Sequence, residues 1–222
     1  MSHTFHKTIW GATWFCGKES KVAAIAHGEK QGHTFFLQRE EQYVDRNGES
    51  KSGNSFGSYL SPADFVTKTA GCPVGQRHFY ELMRGPRRLY LDLDMGCKEQ
   101  DDIFALGVAQ GAIRSLTACI AHVFGIEINP GSAVIVDSGR ATSNGKGYKH
   151  SYHISFPHLV FDEQKVMETF MKEHAIPWVR HENPILDRNI KWLDDCVYSH
   201  ERAWRLVGSS KVGGGVEAAL RL

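Results

Sequence analysis

A strict alternation of apolar and polar residues marks the stretch from Leu89 to Asp94. Every second residue in it is leucine, and the other three residues are Tyr90, Asp92 and Asp94. This period of two predicts a β-strand with one apolar and one polar face. Because side chains at positions i and i+2 of a strand point to the same side, Asp92 and Asp94 are expected to project side by side.

A second alternating stretch runs from Lys149 to Phe156. Lys149, Ser151 and His153 fall on one side of the predicted strand, and a mostly aromatic and apolar set falls on the other. One face of this strand is therefore expected to present a cation, a hydroxyl and an imidazole in a row. For His153 taken alone, a half-exposed histidine that only makes a hydrogen bond is the alternative interpretation.

The first third of the chain gives weaker patterns. Residues 41–61 are polar, aperiodic and rich in Gly, Ser and Asn, which predicts a loop. Ser61 followed by Pro62 predicts the start of a short helix. Residues 78–83 predict a strand, and the Gly-Pro pair at Gly85 predicts an antiparallel hairpin between that strand and the acidic strand.

A long helix is predicted from Asp101 to Phe124, with Gly125 as its stop. A buried strand is expected at 133–137, followed by a glycine-rich loop over 138–147 that can approach a ligand closely. The apolar stripe of the helix consists of Leu106, Ile113, Leu116, Ile120 and Val123.

Composition sets the class of protein only broadly. At 222 residues the chain can form one large domain or two small lobes that share a core. Its 41% hydrophobic and 23% charged residues are ordinary for a globular protein. The formal net charge of +1 does not indicate a nucleic-acid-binding protein, but a locally basic groove is compatible with it because binding depends on how charge is distributed.

The cysteines and the apolar segments indicate in which cellular compartment the protein is expected. The five cysteines are scattered and form no C-x-x-C pair, which argues against a disulfide framework and a cysteine zinc site. No apolar run is expected to span a membrane, and the N-terminus lacks the features of a secretory signal or transit peptide. An intracellular location is expected, in the cytoplasm, the nucleus or a viral replication site.

The acidic strand suggests chemistry only in combination with other segments. Two adjacent carboxylates repel each other unless a cation lies between them, and hard oxygen ligands suit Mg²⁺ or Mn²⁺. A bare D-x-D is also compatible with a strand that has a solvated acidic face. The chain adds a third carboxylate at Asp194 and two further cations, Arg205 and Lys211. Three carboxylates and several cations match what two-metal phosphoryl transfer requires.

Three segments together resemble the signature motifs of the archaeo-eukaryotic primases. They are LYLDLD at 89–94, KHSYH at 149–153, and D-x-x-V-Y beginning at Asp194, with R-x-x-R-L and SSKVG following from Arg202 and Ser209. The set most resembles the primase-polymerase branch and the primase domains at the N-termini of large viral primase-helicases. It covers residues 78–213, whereas residues 1–77 match much less clearly.

The resemblance implies a metal site with two Mg²⁺ or Mn²⁺ ions held by Asp92, Asp94 and Asp194. Asp187 and Asp195 compete for the role of the third ligand, and Asp194 is preferred because only it has Val-Tyr at the family spacing. Primase-polymerases often carry D-x-E in the first motif, so the second aspartate here is a variation that other primases share.

The resemblance also implies a nucleotide site. Ser151 and His153, the S-x-H of the family, would contact the phosphates of the incoming nucleotide, and Lys149, Arg205 and Lys211 would bind the triphosphate. The family has an N-terminal arginine near the nucleotide, for which the candidates are Arg39, Arg77 and Arg87.

The implied fold is α+β, with an N-terminal α/β lobe (residues 1–77) packed on a catalytic lobe (78–213) whose small antiparallel sheet is like that of an RNA-recognition module. Residues 214–222 are interpreted as the start of a linker. The implied function is a DNA primase or primase-polymerase, which adds NTP or dNTP to a 3′-hydroxyl on a single-stranded DNA template with its primer. Many relatives carry a helicase or zinc-binding region further on, and neither is in this sequence.

Three other functions are weighed against this one. A D-x-D glycosyltransferase also uses Mn²⁺ to hold a diphosphate, but it leaves the Lys/Ser/His strand unexplained. A two-metal nuclease could use the same carboxylates, although several triphosphate-binding cations argue against it. A non-catalytic nucleic-acid-binding module would not need the intact acidic residues.

Overall fold

The computed structural model describes residues 4–45, 47–142, 145–199, 202–212 and 219–221. The chain divides into two compact units, of which the first is Met1–Met83 with Ala203–Leu220 and the second is Arg84–Arg202 with Arg221–Leu222. Most of the predicted linker, 214–218 and residue 222, lies outside the described residues.

Both units contain helices and strands. In chain order they are β1 (Phe5–Ile9), β2 (Ala12–Cys16), α1 (Ser20–Lys30), β3 (Phe35–Val44), β4 (Ser50–Tyr59), α2 (Pro62–Thr69), β5 (Phe79–Leu82), β6 (Arg87–Cys97), α3 (Asp102–Phe124), β7 (Val134–Asp137), β8 (Arg140–Ala141), β9 (Tyr148–Phe161), α4 (Gln164–Phe170), α5 (Ile176–Glu182), α6 (Pro184–Arg188) and β10 (Ala203–Arg205), with a π-helical segment at Met171–Ala175 between α4 and α5.

The first unit is built on a six-stranded antiparallel sheet with the strand order β1-β2-β4-β3-β5-β10. One face of the sheet buries Trp14, Leu37 and Phe79 in a core that Phe65 of α2 completes. The predicted start of α2 is confirmed, because the Ser61 hydroxyl accepts a hydrogen bond from the amide of Asp64 and thereby caps the helix.

The prediction of a loop over residues 41–61 is wrong. β3 and β4 form one long hairpin whose pairing runs from Phe35 opposite Tyr59 to Val44 opposite Ser50. The half of the hairpin near Phe35 is buried, while the outer half is exposed on both faces. Backbone hydrogen bonds hold this outer half without an apolar face, so it lacks the period of two by which strands are recognised in a sequence.

The predicted hairpin between residues 78–83 and the acidic strand is also wrong. β5 pairs with β3 and β10 in the sheet of the first unit, whereas β6 pairs with β9 in a different sheet. Gly85 adopts a left-handed conformation with φ at 67°, but the strand that follows it does not pair with the strand that precedes it. Turn residues indicate where a strand ends, while the partner of that strand is decided by contacts distant in sequence.

The second unit contains an antiparallel sheet with the order β6-β9-β7, to which β8 adds by pairing with β9. Beyond the outer side of β6, Leu193 forms an isolated bridge with Leu93. The order of elements therefore follows the β-α-β-β-α-β pattern of a split βαβ fold, with the segment at Leu193 in the place of the last strand. Mixed helices and antiparallel sheets confirm the predicted α+β class.

Helix α3 confirms its prediction at both ends. The Asp101 side chain accepts a hydrogen bond from the amide of Phe104, and Gly125 adopts the left-handed conformation that ends the helix. Ile113 and Leu116 of the predicted stripe are buried with Ile120, whereas the two end positions, Leu106 and Val123, are exposed. The predicted strand before β8 is present as β7, but of its residues only Val136 is buried, because β7 is an edge strand.

One expectation about α3 requires correction. At 23 residues, this helix is long and apolar enough to cross a membrane by length and composition, although no such run was expected from the sequence. Half of its most apolar stretch is buried inside the protein. Core helices of globular proteins share this length and composition, so the feature carries no conclusion about a membrane.

Packing in the first unit predicts a specific sensitivity at Gly57. A Cβ atom at this position of β4 would lie 2.8 Å from Cδ2 of Trp14, which is fully buried. Because the indole is packed in the buried core of this unit, we expect Gly57→Ala to lower the free energy of unfolding by about 2 kcal/mol. Gly71→Ala is the control, since no atom lies within 4 Å of its Cβ position. Equal unfolding curves for the two variants would contradict this packing.

Candidate active site

The pairing of β6 with β9 brings the two predicted strands together on one face. In the antiparallel register Asp92 lies opposite His153, Asp94 opposite Ser151, and Gly96 opposite Lys149. Directly opposed residues of an antiparallel pair share a face of the sheet. The two carboxylates and the Lys/Ser/His row therefore occupy the same face, which the two alternating patterns alone could not establish.

Two basic side chains lie beside the carboxylates of this face. The Lys149 ammonium is 2.7 Å from Oδ2 of Asp94, with both side chains about one-third exposed. Nε2 of His153 is 3.8 Å from Oδ1 of Asp92, and both of these side chains are largely buried. The second contact is too long for a hydrogen bond, so it is an electrostatic contact whenever the imidazole is protonated.

The three residues of the β9 row differ in accessibility. Lys149 is partly exposed, whereas Ser151 and His153 are only 3% and 9% exposed. The sequence predicted a face that presents all three groups. The structure places all three on the face of the carboxylates, with the hydroxyl and the imidazole covered and the ammonium accessible.

The third predicted carboxylate arrives from a segment about a hundred residues further along the chain. Leu193 bridges to Leu93, and the next residue, Asp194, donates its backbone N–H to the carbonyl of Asp92 at 3.0 Å. The Asp194 side chain closes the following turn, because its Oδ1 accepts a hydrogen bond from the amide of Cys196 at 2.8 Å. The structure thus brings Asp194 to the backbone of the strand that carries Asp92 and Asp94.

The competing candidates for the third ligand lie in different settings. Asp195 is exposed and next in sequence, and the possible ligand atoms of Asp194, Asp195 and Cys196 all lie within 4.8 Å of one another. Asp187 is exposed on α6. The backbone bond to Asp92 distinguishes Asp194 from both alternatives. Carboxylate oxygens are hard donors that suit Mg²⁺ or Mn²⁺, whereas a thiol such as that of Cys196 suits softer ions.

The remaining predicted nucleotide ligands belong to the first unit. Arg205 ends β10, lies opposite Tyr80 of β5 and is 7% exposed, while Lys211 is exposed. The sequence assigned residues 203–213 to the catalytic lobe, but β10 extends the sheet of the first unit. An edge strand of three residues that pairs with a strand far back in the sequence leaves no local pattern, which is why the assignment differed.

The three candidates for the N-terminal arginine are all held by local contacts. Arg39 pairs with Glu41 at 2.6 Å, and its guanidinium lies 4.7 Å from the ring centre of Trp10. Nε of Arg77 donates to a backbone carbonyl at 2.9 Å, and Nε of Arg87, which is 5% exposed, donates to the carbonyl of Gly85 at 3.3 Å. Arg39 also lines an open cavity of about 370 Å³ in the first unit, together with Glu40, Glu41, Gln42, Gly75, Gln76, His78 and Val212.

Sequence reasoning assigned no role to the tyrosines of the two acidic motifs. Tyr90 precedes Asp92 by two positions, and Tyr198 follows Asp194 by four. The two rings stack at a centroid distance of 5.2 Å, and each hydroxyl donates to the backbone next to the other ring. The available signal was their presence in the quoted motifs, close in sequence to the predicted carboxylates.

Comparison with family models gives a match over most of the chain. Residues 62–218 match the family model described as the C962R protein N-terminal AEP domain, which is more than half of the chain. No curated protein matches the chain.

The geometry of the site predicts that binding of a divalent cation depends on Asp194 more than on Asp187 or Asp195. We expect Asp194→Asn to weaken Mn²⁺ binding by about tenfold or more, because a bound cation loses one charged ligand. Asp195→Asn and Asp187→Asn remove the same charge from exposed positions and are expected to change the affinity about twofold at most. Isothermal titration calorimetry with Mn²⁺ measures all three, and a larger loss in Asp195→Asn would transfer the role to Asp195.

Proposed function

Because this chain belongs to the family of C962R-type N-terminal AEP domains, and so to the archaeo-eukaryotic primase superfamily, we propose that it is a template-directed nucleotidyltransferase. Membership of this superfamily supports a primase-type function. Its members generally depend on metal ions and bind nucleotides and nucleic acid. The finer proposal is that the chain adds NTP or dNTP to a 3′-hydroxyl on a primed single-stranded DNA template.

One observation carries this proposal. Asp92 and Asp94 share a face with the Lys/Ser/His row of β9, and Asp194 is bonded to the backbone of Asp92. Nucleotidyl transfer needs oxygen ligands for cations and, beside them, positive or hydrogen-bonding groups for a polyphosphate. A D-x-D glycosyltransferase would account for the acidic ligands but leaves the Lys/Ser/His row on the neighbouring strand unexplained.

In the proposed reaction the 3′-hydroxyl loses its proton to solvent and its oxygen forms a bond to the α-phosphorus of the nucleotide. The bond between this phosphorus and the oxygen that bridges to the β-phosphate breaks, and pyrophosphate leaves with the electron pair. Asp92, Asp94 and Asp194 would hold two Mg²⁺ or Mn²⁺ ions. Such ions, when bound, lower the pKa of the attacking hydroxyl and neutralise charge on the leaving group.

The β9 row would bind the polyphosphate of the nucleotide. The Lys149 ammonium now pairs with Asp94, and a cation on Asp94 would release it toward a phosphate oxygen. Ser151 and His153 would donate hydrogen bonds to the phosphates from covered positions, where such bonds are less screened by water. Arg205 and Lys211 are proposed to bind the triphosphate as well, on the strength of the sequence motifs in which they occur.

Loss of the two strand carboxylates is expected to abolish the reaction. The Asp92→Ala, Asp94→Ala double variant should lose about a thousandfold or more of Mn²⁺-dependent nucleotide incorporation, because metal ions supply several kcal/mol of transition-state stabilisation. Extension of a labelled primer on a DNA template measures this, with Asp187→Ala as an exposed acidic control. Activity retained in the double variant would refute the proposal.

The imidazole of the β9 row is expected to act mainly in nucleotide binding. We expect His153→Ala to raise the KM for the nucleotide about tenfold and to change kcat less, as for a group that contacts bound substrate and product phosphates alike. His158→Ala is the matched control, since His158 is exposed on the same strand. An unchanged KM in His153→Ala, measured at saturating Mn²⁺, would remove His153 from the nucleotide site.

A further inference from the structure

The outer edge of β6 is paired by the residues that deliver the third carboxylate. In the order β6-β9-β7, β6 has a sheet neighbour on one side only. Its other side is paired by residues 193–198, which we call the edge segment, through the bridge between Leu93 and Leu193 and the bond from Asp194 N to Asp92 O. An open strand edge offers backbone groups for pairing, and here the edge segment takes up part of them.

Two tyrosines bond the edge segment to β6 reciprocally. The Tyr198 hydroxyl donates to the carbonyl of Tyr90 at 2.8 Å, and the Tyr90 hydroxyl donates to the carbonyl of Val197 at 2.8 Å. The rings stack with an interplanar angle of 23°, and Tyr90 and Tyr198 are 2% and 0% exposed. β6 and the edge segment therefore each supply one tyrosine hydroxyl as a donor and one backbone carbonyl as an acceptor.

Both phenols keep their protons at neutral pH. Burial raises the pKa of Tyr90 to about 12 and that of Tyr198 well above its usual value. Each hydroxyl is thus a hydrogen-bond donor with a buried carbonyl as its acceptor. Removing one hydroxyl leaves a buried carbonyl without this donor. The loss in stability then exceeds the net contribution of the hydrogen bond itself.

We propose that Tyr90 and Tyr198 form a clasp that positions Asp194 at the edge of β6 for cation binding. The clasp fixes the far end of the edge segment at Val197 and Tyr198, and the backbone bond to Asp92 fixes its near end. Between them, the Asp194 side chain closes the turn by accepting a hydrogen bond from the Cys196 amide. The cation-binding part of this inference rests on the proposed function, whereas the positional part rests on the contacts alone.

The test separates these two parts by measuring each directly. Hydrogen exchange of the Asp194 amide by NMR reports whether the segment stays on β6, and calorimetry with Mn²⁺ reports cation binding. In the Tyr90→Phe, Tyr198→Phe double variant we expect the Asp194 amide to exchange at least about tenfold faster and Mn²⁺ to bind about tenfold more weakly. The reason is that two buried hydrogen bonds are lost.

Tyr59→Phe is the matched control, because Tyr59 is also fully buried and its hydroxyl donates to the carbonyl of Trp10 at 3.2 Å, in the first unit. It should change neither the Asp194 exchange rate nor the Mn²⁺ affinity. If the double variant does not fold, Tyr90→Phe alone tests the same prediction with one bond removed.

A double-mutant cycle distinguishes positioning from general loss of stability. In an Asp194→Asn background the tyrosine substitutions should cause no further loss of Mn²⁺ affinity, because the clasp acts through Asp194. Additive losses would overturn the positioning role. An unchanged exchange rate of the Asp194 amide in the tyrosine variant would overturn the clasp itself. Absence of Mn²⁺ binding in the unsubstituted chain, with fast exchange in the variant, would refute the proposed function and support the clasp.

Discussion

The register between β6 and β9 is the constraint from which the geometry of the site follows. A shift of one residue would move every side chain of one strand to the opposite face. The apolar face fixes this register, because Leu91 and Leu93 lie opposite Ile154 and Tyr152 in the buried interior. The positions of the carboxylates relative to the β9 row are thus a consequence of hydrophobic burial on the other side of the sheet.

The register is interrupted once, and the interruption lies away from the carboxylates. Arg88 lies opposite Val160, whereas the next residue, Leu89, lies opposite Phe156, so three residues of β9 beginning with Pro157 have no direct partner on β6. Proline has no backbone N–H to donate, which makes a bulge its suitable place in a strand. From Leu89 onward the pairing is regular, and the residues of the site fall within this regular part.

The sequence could predict those features of the site that depend on neighbouring residues, but not those that depend on contacts between residues distant in sequence. Asp92 with Asp94, and Lys149 with His153, follow from a period of two within one strand. That the two strands pair, and in which register, depends on contacts some sixty residues apart, which motif resemblance suggested but no local pattern could establish. Helix ends were predictable for the same reason as the strands, because caps such as Asp101 act within one turn.

The failures have the same origin. The polar part of the β3–β4 hairpin and the short strand β10 are held by backbone pairing, which any residue except proline can supply, so composition does not mark them. Arg205 was assigned to the catalytic lobe because the motifs that resemble those of the primases extend to residue 213. Strand pairing with Tyr80 instead placed it in the first unit.

The third carboxylate shows why an irregular segment serves this position better than a regular strand. In a strand, Asp194 and Tyr198, four residues apart, would lie roughly 13 Å from each other on one face. The turn at Cys196–Tyr198 shortens this distance, so that one short segment bonds to β6 both at Asp92 and at Tyr90, two residues apart. The edge of β6 is thereby paired, and the carboxylate of Asp194 is held by its turn rather than by the alternation of a strand.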